Sequence, residues 1–279
     1  MELRHEYRLT VLLKISKIPR STFYYYVSRL KRIDKYKELK EEIKSIFYEN
    51  KGRYGYRRIT LELNNRGYQI NHKTVLRLMN ILGLKSIIRE KRKYSSYKGT
   101  VGKIADNLLK RDFKANKPNE KWVTDVTEFK VNEDKLYLSP IIDLFNGEVI
   151  SFNLSRRPVF KQVLDMLYKA FKNIPNDTNL ILHSDQGWQY QMKQYQDLLK
   201  EKGIRQSMSR KGNCLDNSCA ENFFGLLKSE LFYLKKYETI EELEKDIIEY
   251  IEYYNNKRIK NKLKGMSPVQ YRLHSSQVA

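Results

Sequence analysis

Three acidic residues occupy positions where a carboxylate is expected to serve a function. Asp125 lies in the strand-like run Trp122-Val123-Thr124-Asp125-Val126-Thr127, and aspartate is disfavoured inside strands. Asp185 ends a short apolar run that predicts a buried strand, where α/β sheets place their ligands. Glu221 lies near the start of a predicted helix, with 35 residues between it and Asp185. Because hard cations prefer carboxylate oxygens, these residues indicate metal chemistry.

The region around these acids has the residue pattern of an α/β domain. Three strand-like runs follow one another between Trp122 and Leu154, and Asn146-Gly147 predicts a tight hairpin turn. A helical pattern over 159–171 comes next, followed by the buried-strand pattern from Leu180 to Asp185. Strands joined by hairpins and then alternating with helices predict a mixed sheet.

The first part of the sequence predicts two pairs of short helices. In the first pair, apolar residues at helical spacing surround a turn that contains Pro19. In the second pair, Asn71 can cap the second helix. Both are helix-turn-helix outlines, which bind DNA or serve only as structural bundles. The residues expected to contact DNA stand at the start of each second helix: Arg20, Thr22, His72, Lys73 and Arg77.

Positive charge is concentrated in this helical part. The chain has a net charge of +21, of which residues 1–117 hold +19 and residues 118–279 hold +2. A basic part joined to a nearly neutral one favours a polyanion partner. Residues 85–117, which include Lys91, Arg92 and Lys93, predict a basic linker that is either a solvated tether or a segment following phosphates. The predicted division is therefore 1–84, 85–117 and 118–279.

Composition excludes several other classes of protein. No apolar run approaches the roughly 18–20 residues that a membrane span requires. The charged run Met1 to Glu6 is unlike a signal peptide. Cys214 and Cys219 cannot build a disulfide framework, and their spacing without nearby histidines argues against zinc. A cytosolic, basic protein without a membrane partner is expected.

Three short motifs contain the acidic residues. They are the run 122–127, the run His183-Ser184-Asp185-Gln186-Gly187, and Asp216-Asn217-Ser218 leading into Glu221-Asn222-Phe223-Phe224. Lys228 follows Glu221 by seven residues, or two helical turns, and so shares its face. With these motifs, the sequence resembles a DDE-type insertion-sequence transposase with the retroviral-integrase catalytic core, the second-frame product of a two-frame element.

The resemblance implies a fold, a site and partners. The fold would be α/β, an RNase H-like mixed five-stranded sheet with flanking helices, preceded by a small all-α helix-turn-helix region. Asp125, Asp185 and Glu221 would be catalytic and would hold two Mg²⁺ ions, with Mn²⁺ as a substitute, for 3′-end nicking and strand transfer. Further residues would contact the DNA: Lys228, Asn222 and Trp188. The expected partners are the terminal inverted repeats, target DNA, further copies of the chain and a first-frame protein, in the bacterial cytosol.

Each site residue also has a purely structural explanation. Asp125 would be an edge-strand residue facing water, Asp185 the cap of the next helix, and Glu221 part of a capping box with Ser218. Lys228 would simply be solvated, and Trp188 would pack beneath its loop. Two other functions stay open for the chain: an RNase H-like nuclease that does not join DNA, and an inactive transposase-derived repressor.

Overall fold

A computed structural model describes residues 2–30, 34–87, 104–172, 174–176, 178–210 and 214–278. Lys91, Arg92 and Lys93 of the predicted linker lie outside these residues. Contacts divide the chain into two compact units, 1–45 and 46–279. The predicted limits at residues 84 and 117 stay a prediction. Within the described ranges, no helix combines the length and the apolar character needed to cross a bilayer.

Short α-helices make up the first part of the chain. They are α1 (Leu9–Ser16), α2 (Arg20–Leu30), α3 (Lys37–Glu49), α4 (Tyr56–Asn65) and α5 (His72–Ile81). The turn between α1 and α2 contains Pro19, as predicted. The cap predicted for α5 is confirmed, because Asn71 accepts a hydrogen bond from the N–H of Lys73 at 2.8 Å.

A mixed sheet forms the centre of residues 46–279. Its strands are β1 (Lys121–Thr124), β2 (Thr127–Val131), β3 (Asp134–Asp143), β4 (Val149–Ser155), β5 (Ile181–Ser184) and β6 (Arg205–Met208). The strand order is β2-β3-β1-β5-β6, with β4 on the other side of β3. β1, β5 and β6 are parallel, whereas β3 is antiparallel to β1, β2 and β4. The predicted mixed sheet is confirmed, and within the described residues it has six strands in place of five.

The additional strand results from an interruption at Asp125 and Val126. β1 and β2 pair with β3 in one continuous register, which puts Pro140 opposite Asp125. Proline has no N–H to donate to a ladder. The N–H of Val126 donates to a side chain, Asp125 Oδ1, at 2.8 Å. The run predicted as one strand is therefore two strands, and Asp125 occupies the gap between them.

Helices cover both faces of the sheet. They are α6 (Phe160–Phe171), α7 (Lys193–Glu201), α8 (Ser218–Leu227) and α9 (Ile240–Asn256), while α10 (Pro268–Val278) contacts α9. Trp122 packs in the core with α6 and α7, whereas its neighbour Val123 packs in a second core with α8 and α9. Adjacent strand residues point to opposite faces, so the sheet separates two cores.

Hydrogen bonds join the region of α4 to the last part of the chain. The hydroxyl of Tyr54 donates to the carbonyl of Lys257 at 3.1 Å and accepts from the N–H of Ile259 at 3.0 Å. The side chain of Asn65 donates to the carbonyl of Gly265 at 3.2 Å. The partners are 203 residues apart for Tyr54 and Lys257, and 200 for Asn65 and Gly265. α4 therefore belongs to the same packed body as the C-terminal segment.

A π-helical turn, Lys228–Phe232, follows α8 and contains the buried residue Glu230. Arg258 donates to both carboxylate oxygens of Glu230, at 2.6 and 2.8 Å. Arg58 lies 3.6 Å from the same carboxylate, and Arg53 donates to the Glu230 carbonyl at 3.1 Å. Burial raises the pKa of Glu230, but the hydrogen bond and charge of Arg258 outweigh it, so this pKa lies below its ordinary value. The extension of α8 is thus joined to α4 through the ion pair of Glu230 with Arg58.

Candidate active site

The three predicted acids lie on three elements that meet at the sheet. Asp125 follows β1, Asp185 follows β5, and Glu221 lies in the first turn of α8. β1 and β5 are parallel neighbours, and their register continued past Val123 and His183 puts Asp125 beside Asp185. Because β1 lies between β3 and β5, the explanation of Asp125 as an edge-strand residue is wrong.

The carboxyl group of Asp125 is strongly affected by its surroundings. Desolvation raises its pKa well above the ordinary value, and the negative charges of Asp185 and Glu221 raise it further. The hydrogen bond from Val126 and the charge of Lys228 act in the opposite direction. The structure therefore brings the three acids close enough to interact through their charges.

The loop after β5 orients Asp185. Its Oδ1 accepts a hydrogen bond from the N–H of Gly187 at 2.8 Å, and burial raises its pKa. A side chain at Gly187 would bring a Cβ within 3.0 Å of Asp185 Oδ1 and 2.6 Å of the Gln189 amide. The next helix, the 3₁₀ turn Trp188–Gln191, has Gly187 and not Asp185 at its N-cap. The capping explanation for Asp185 is therefore wrong.

Asn217 fixes the start of the helix that contains Glu221. It is the N-cap residue of α8, so Ser218 is the first helical residue and the capping box with Glu221 does not form. The side chain of the buried Asn217 instead donates to the carbonyl of Thr124 at 3.2 Å. Thr124 precedes Asp125, and this bond therefore ties the start of α8 to β1.

Asp216, next to Asn217, is a buried carboxylate with several partners. It accepts hydrogen bonds from Arg111 Nε at 2.8 Å, from Arg210 Nε at 3.0 Å and Nη2 at 3.2 Å, and from Asn107 at 3.1 Å. The hydrogen bond from Arg210 holds the pKa of Asp216 well below its usual range. Sequence reasoning assigned no role to Asp216 or Asn217, although both stand in the third motif.

Three further residues of the core are predicted to contact DNA. Lys228 donates to the hydroxyl of Thr127 at 2.8 Å, and its ammonium lies 5.1 Å from the ring centre of Phe129. Asn222 is exposed on α8. Trp188 is 36% exposed, and therefore is not packed wholly beneath its loop. Contact of these residues with DNA stays a prediction.

The DNA-contact residues predicted in the helical part stand on α2 and α5. Arg20 is exposed at the start of α2, while Thr22 is half-buried. The residues of α5 are exposed: His72, Lys73 and Arg77. Their positions at the starts of the second helices agree with the predicted outlines, and their DNA contacts stay predictions.

A metal ion requires several donor atoms close together. In the part of the chain that the structure describes, no three His, Cys, Asp or Glu side chains lie together closely enough to enclose a metal. The chemistry of the donors nevertheless fits Mg²⁺, because all three are carboxylates and Asp125 feels the charges of the other two. A divalent cation would relieve this repulsion.

The sequence matches models of known protein families. Residues 115–214 and 221–275 match the family described as "Integrase core domain", and residues 35–92 match "HTH-like domain". The latter range contains α3, α4 and α5. These matches confirm the predicted fold class, an α/β integrase-type core preceded by a helical helix-turn-helix region.

The chain belongs to the insertion-sequence transposases with an integrase core. It is 60% identical over 271 residues to the putative transposase InsK for insertion sequence element IS150 of Escherichia coli (strain K12), covering 97% of this chain and 95% of that one. It is 40% identical to the transposase for insertion sequence element IS904 of Lactococcus lactis, covering 85% and 94%. Among solved structures, the catalytic core domain of HTLV-2 integrase in complex with magnesium has 18% identity and a TM-score of 0.43, covering 56% and 98%.

Proposed function

We propose that this transposase nicks DNA at the 3′ ends of its element and joins the freed ends to target DNA, with Asp125, Asp185 and Glu221 as catalytic carboxylates. The observation that supports this most directly is that the charges of Asp185 and Glu221 both raise the pKa of Asp125. Like charges gathered in a desolvated site are unfavourable, and such clusters are typical of functional sites.

The chemistry consists of two displacements at phosphorus. In the first, water attacks the phosphate at the element end, the P–O3′ bond breaks, and the element retains a 3′-hydroxyl. In the second, this hydroxyl attacks a target phosphate, a new P–O bond forms, and the target's own 3′-oxygen leaves. Bound by the three acids, two Mg²⁺ ions (or Mn²⁺) would activate the attacking oxygen and stabilise the leaving one.

Main-chain N–H groups orient two of the carboxylates that would bind the metal. The N–H of Val126 orients Asp125, and the N–H of Gly187 orients Asp185, each at 2.8 Å. Neither bond needs a metal to form, and each leaves the second carboxylate oxygen available. Lys228 supplies a positive charge beside Asp125, where an anionic DNA end would be bound.

DNA would be bound by both parts of the chain. On the core, the proposed contacts are Lys228, Asn222 and Trp188. In the helical and basic part they are Arg20, Thr22, His72, Lys73, Arg77, Lys91, Arg92 and Lys93. We also propose that several copies assemble on the terminal inverted repeats and target DNA in the bacterial cytosol, with a first-frame protein as a further partner.

The test uses duplexes that contain the element's terminal inverted repeats, with Mg²⁺ present. Asp125→Asn, Asp185→Asn and Glu221→Gln should each abolish nicked and joined products, while DNA binding is retained. Asp165→Asn on α6 is the matched control, because it removes a half-buried carboxylate from another element. Mg²⁺-dependent joining by any of the three variants would refute the assignment.

The wild-type products also distinguish the other two functions. Nicked DNA that is never joined would identify a nuclease. Binding without any cleavage would identify a repressor.

A further inference from the structure

Arg111 and Arg210 are held side by side by one buried carboxylate. Asp216 is 1% exposed, whereas the side chains of Arg111 and Arg210 are 45% and 62% exposed. Nε of Arg111 and Nη2 of Arg210 both donate to the same oxygen, Asp216 Oδ1, at 2.8 and 3.2 Å. The two guanidinium groups are therefore adjacent, with their opposite sides at the surface.

The segment that contains Arg111 is itself fixed. The side chain of Asn107 accepts a hydrogen bond from the N–H of Lys110 at 2.8 Å and donates to Asp216 at 3.1 Å. The N–H of Leu108 donates to the hydroxyl of Ser207 on β6 at 2.9 Å. Arg111 is thus held by a short turn fastened to the sheet, and little further ordering is needed when it binds a ligand.

The arginine pair lies next to the candidate active site. The N–H of Ser209 donates to the carbonyl of Ser184 at 2.9 Å, and the Gln186 side chain donates to the carbonyl of Ser209 at 3.0 Å. Ser209 is therefore hydrogen-bonded to Ser184 and Gln186, the residues before and after Asp185. Arg210 follows Ser209 in the chain. On the other side, Asp216 precedes Asn217, which bonds to Thr124 beside Asp125.

Together, Arg111, Arg210 and Asp216 carry a net charge of +1. An arginine has five N–H donors, of which Asp216 takes one from Arg111 and two from Arg210. A guanidinium fork matches the geometry of a phosphate, and paired forks bind it with several charge-assisted hydrogen bonds. An anion with several oxygens and one negative charge therefore fits this surface.

We propose that Arg111 and Arg210 together bind one backbone phosphate of the DNA, next to the phosphate that is cleaved, and that Asp216 positions the two arginines. This inference rests on the proposed function, because it names the DNA contact beside the catalytic acids. The inference also gives a role to Asp216, a residue of the third motif that had none.

The experiment measures DNA affinity against salt concentration in the presence of EDTA, so that no cleavage interferes. The probe is a fluorescent random-sequence duplex of about 30 base pairs, because phosphate contacts do not depend on sequence. The double variant Arg111→Gln/Arg210→Gln should lower the slope of log Kd against log salt by about one, the value for one phosphate. Either single variant should lower it by no more than that.

Arg205→Gln is the matched control. Arg205 is an exposed arginine at the opposite end of β6, and its substitution should leave the slope unchanged. An unchanged slope in the double variant, or an equal loss in Arg205→Gln, would overturn the proposal. If the double variant does not fold, Arg210→Gln provides the test, since its side chain is mostly exposed.

Failure of this proposal differs from failure of the proposed function. A wild-type chain that nicks and joins DNA, with an unaltered salt slope in the double variant, refutes only the phosphate site. The expected loss of slope, in a chain that never cleaves DNA, supports the phosphate site and refutes the catalytic proposal.

Discussion

Asn217 donates a hydrogen bond from its side-chain amide to the main-chain carbonyl of Thr124 at 3.2 Å. The bond connects the residue before α8 with the residue before Asp125. Two of the three elements that contain the acids are therefore tied together by a side chain that is not itself an acid. A buried hydrogen bond of this kind contributes only about 1 kcal/mol to stability, but its effect on geometry is larger.

We expect Asn217→Ala to slow single-turnover nicking by at least about tenfold while DNA affinity stays the same, because a displacement of about 1 Å can cost roughly a hundredfold in rate. The control is Asn255→Ala, whose side chain makes two hydrogen bonds of 2.9 Å to Val149 on β4. It should lower thermal stability without a comparable loss of rate. Nicking at the wild-type rate by Asn217→Ala would contradict this role.

Asp125→Asn should raise the thermal stability of the metal-free protein above neutral pH. The folded state raises the pKa of Asp125, so the folded chain holds a proton that the unfolded chain releases. Wild-type stability is therefore lost as pH rises above the ordinary aspartate pKa, and an asparagine does not show this loss. For a chain of this length, roughly 1 kcal/mol corresponds to about 2–4 °C in Tm.

The measurement is Tm in EDTA at several pH values for both proteins. The advantage of Asp125→Asn should shrink toward acid pH, where both side chains are neutral. An Asp125→Asn protein that melts below wild type at alkaline pH would contradict the raised pKa of Asp125.

The sequence predicted the three acids because each stands in a short local motif. It also predicted the mixed sheet and the Asn71 cap, which depend on residues close together in the chain. It did not predict the break between β1 and β2, since that depends on Pro140 lying opposite Asp125 in the register of β3. The bond between Arg111 and Asp216 joins residues 105 positions apart, and no local pattern indicates such a contact.

Lys260 should make the free energy of unfolding depend on pH. Burial, together with the charges of Arg258 and Arg58, lowers the pKa of Lys260 to about 7. Its ammonium donates to the Tyr254 hydroxyl at 2.8 Å. The unfolded chain keeps this proton to about pH 10.5, so wild-type stability rises with pH between about 7 and 10.5.

The slope from this one group is at most about 1.4 kcal/mol per pH unit. Urea unfolding of wild type and Lys260→Met at pH values from about 6 to 9 isolates it, since other groups titrate in both proteins. The stability of wild type relative to Lys260→Met should increase with pH. A constant difference would contradict the lowered pKa.

Glu230→Gln should destabilise the protein by about 3–5 kcal/mol, because it leaves the buried Arg258 without its counter-charge. Glu148→Gln is a suitable comparison. The partner of Glu148 is Arg272, which is 36% exposed and can be solvated, so this loss should be smaller. Denaturant unfolding measures both. Equal losses of unfolding free energy in the two variants would show that the burial of Arg258 does not enlarge the effect.

The contacts of Tyr54 and Asn65 with Lys257 and Gly265 determine when the region around α4 can finish folding. A ribosome makes α4 long before it makes these partners, and closing a loop of about 200 residues costs entropy that only the final contacts offset. The region around α4 therefore acquires these hydrogen bonds only after Lys257 and Gly265 have been synthesised. A polypeptide interrupted before residue 257 would lack both contacts, so its α4 region would not be locked by the buried hydrogen bonds of the finished chain.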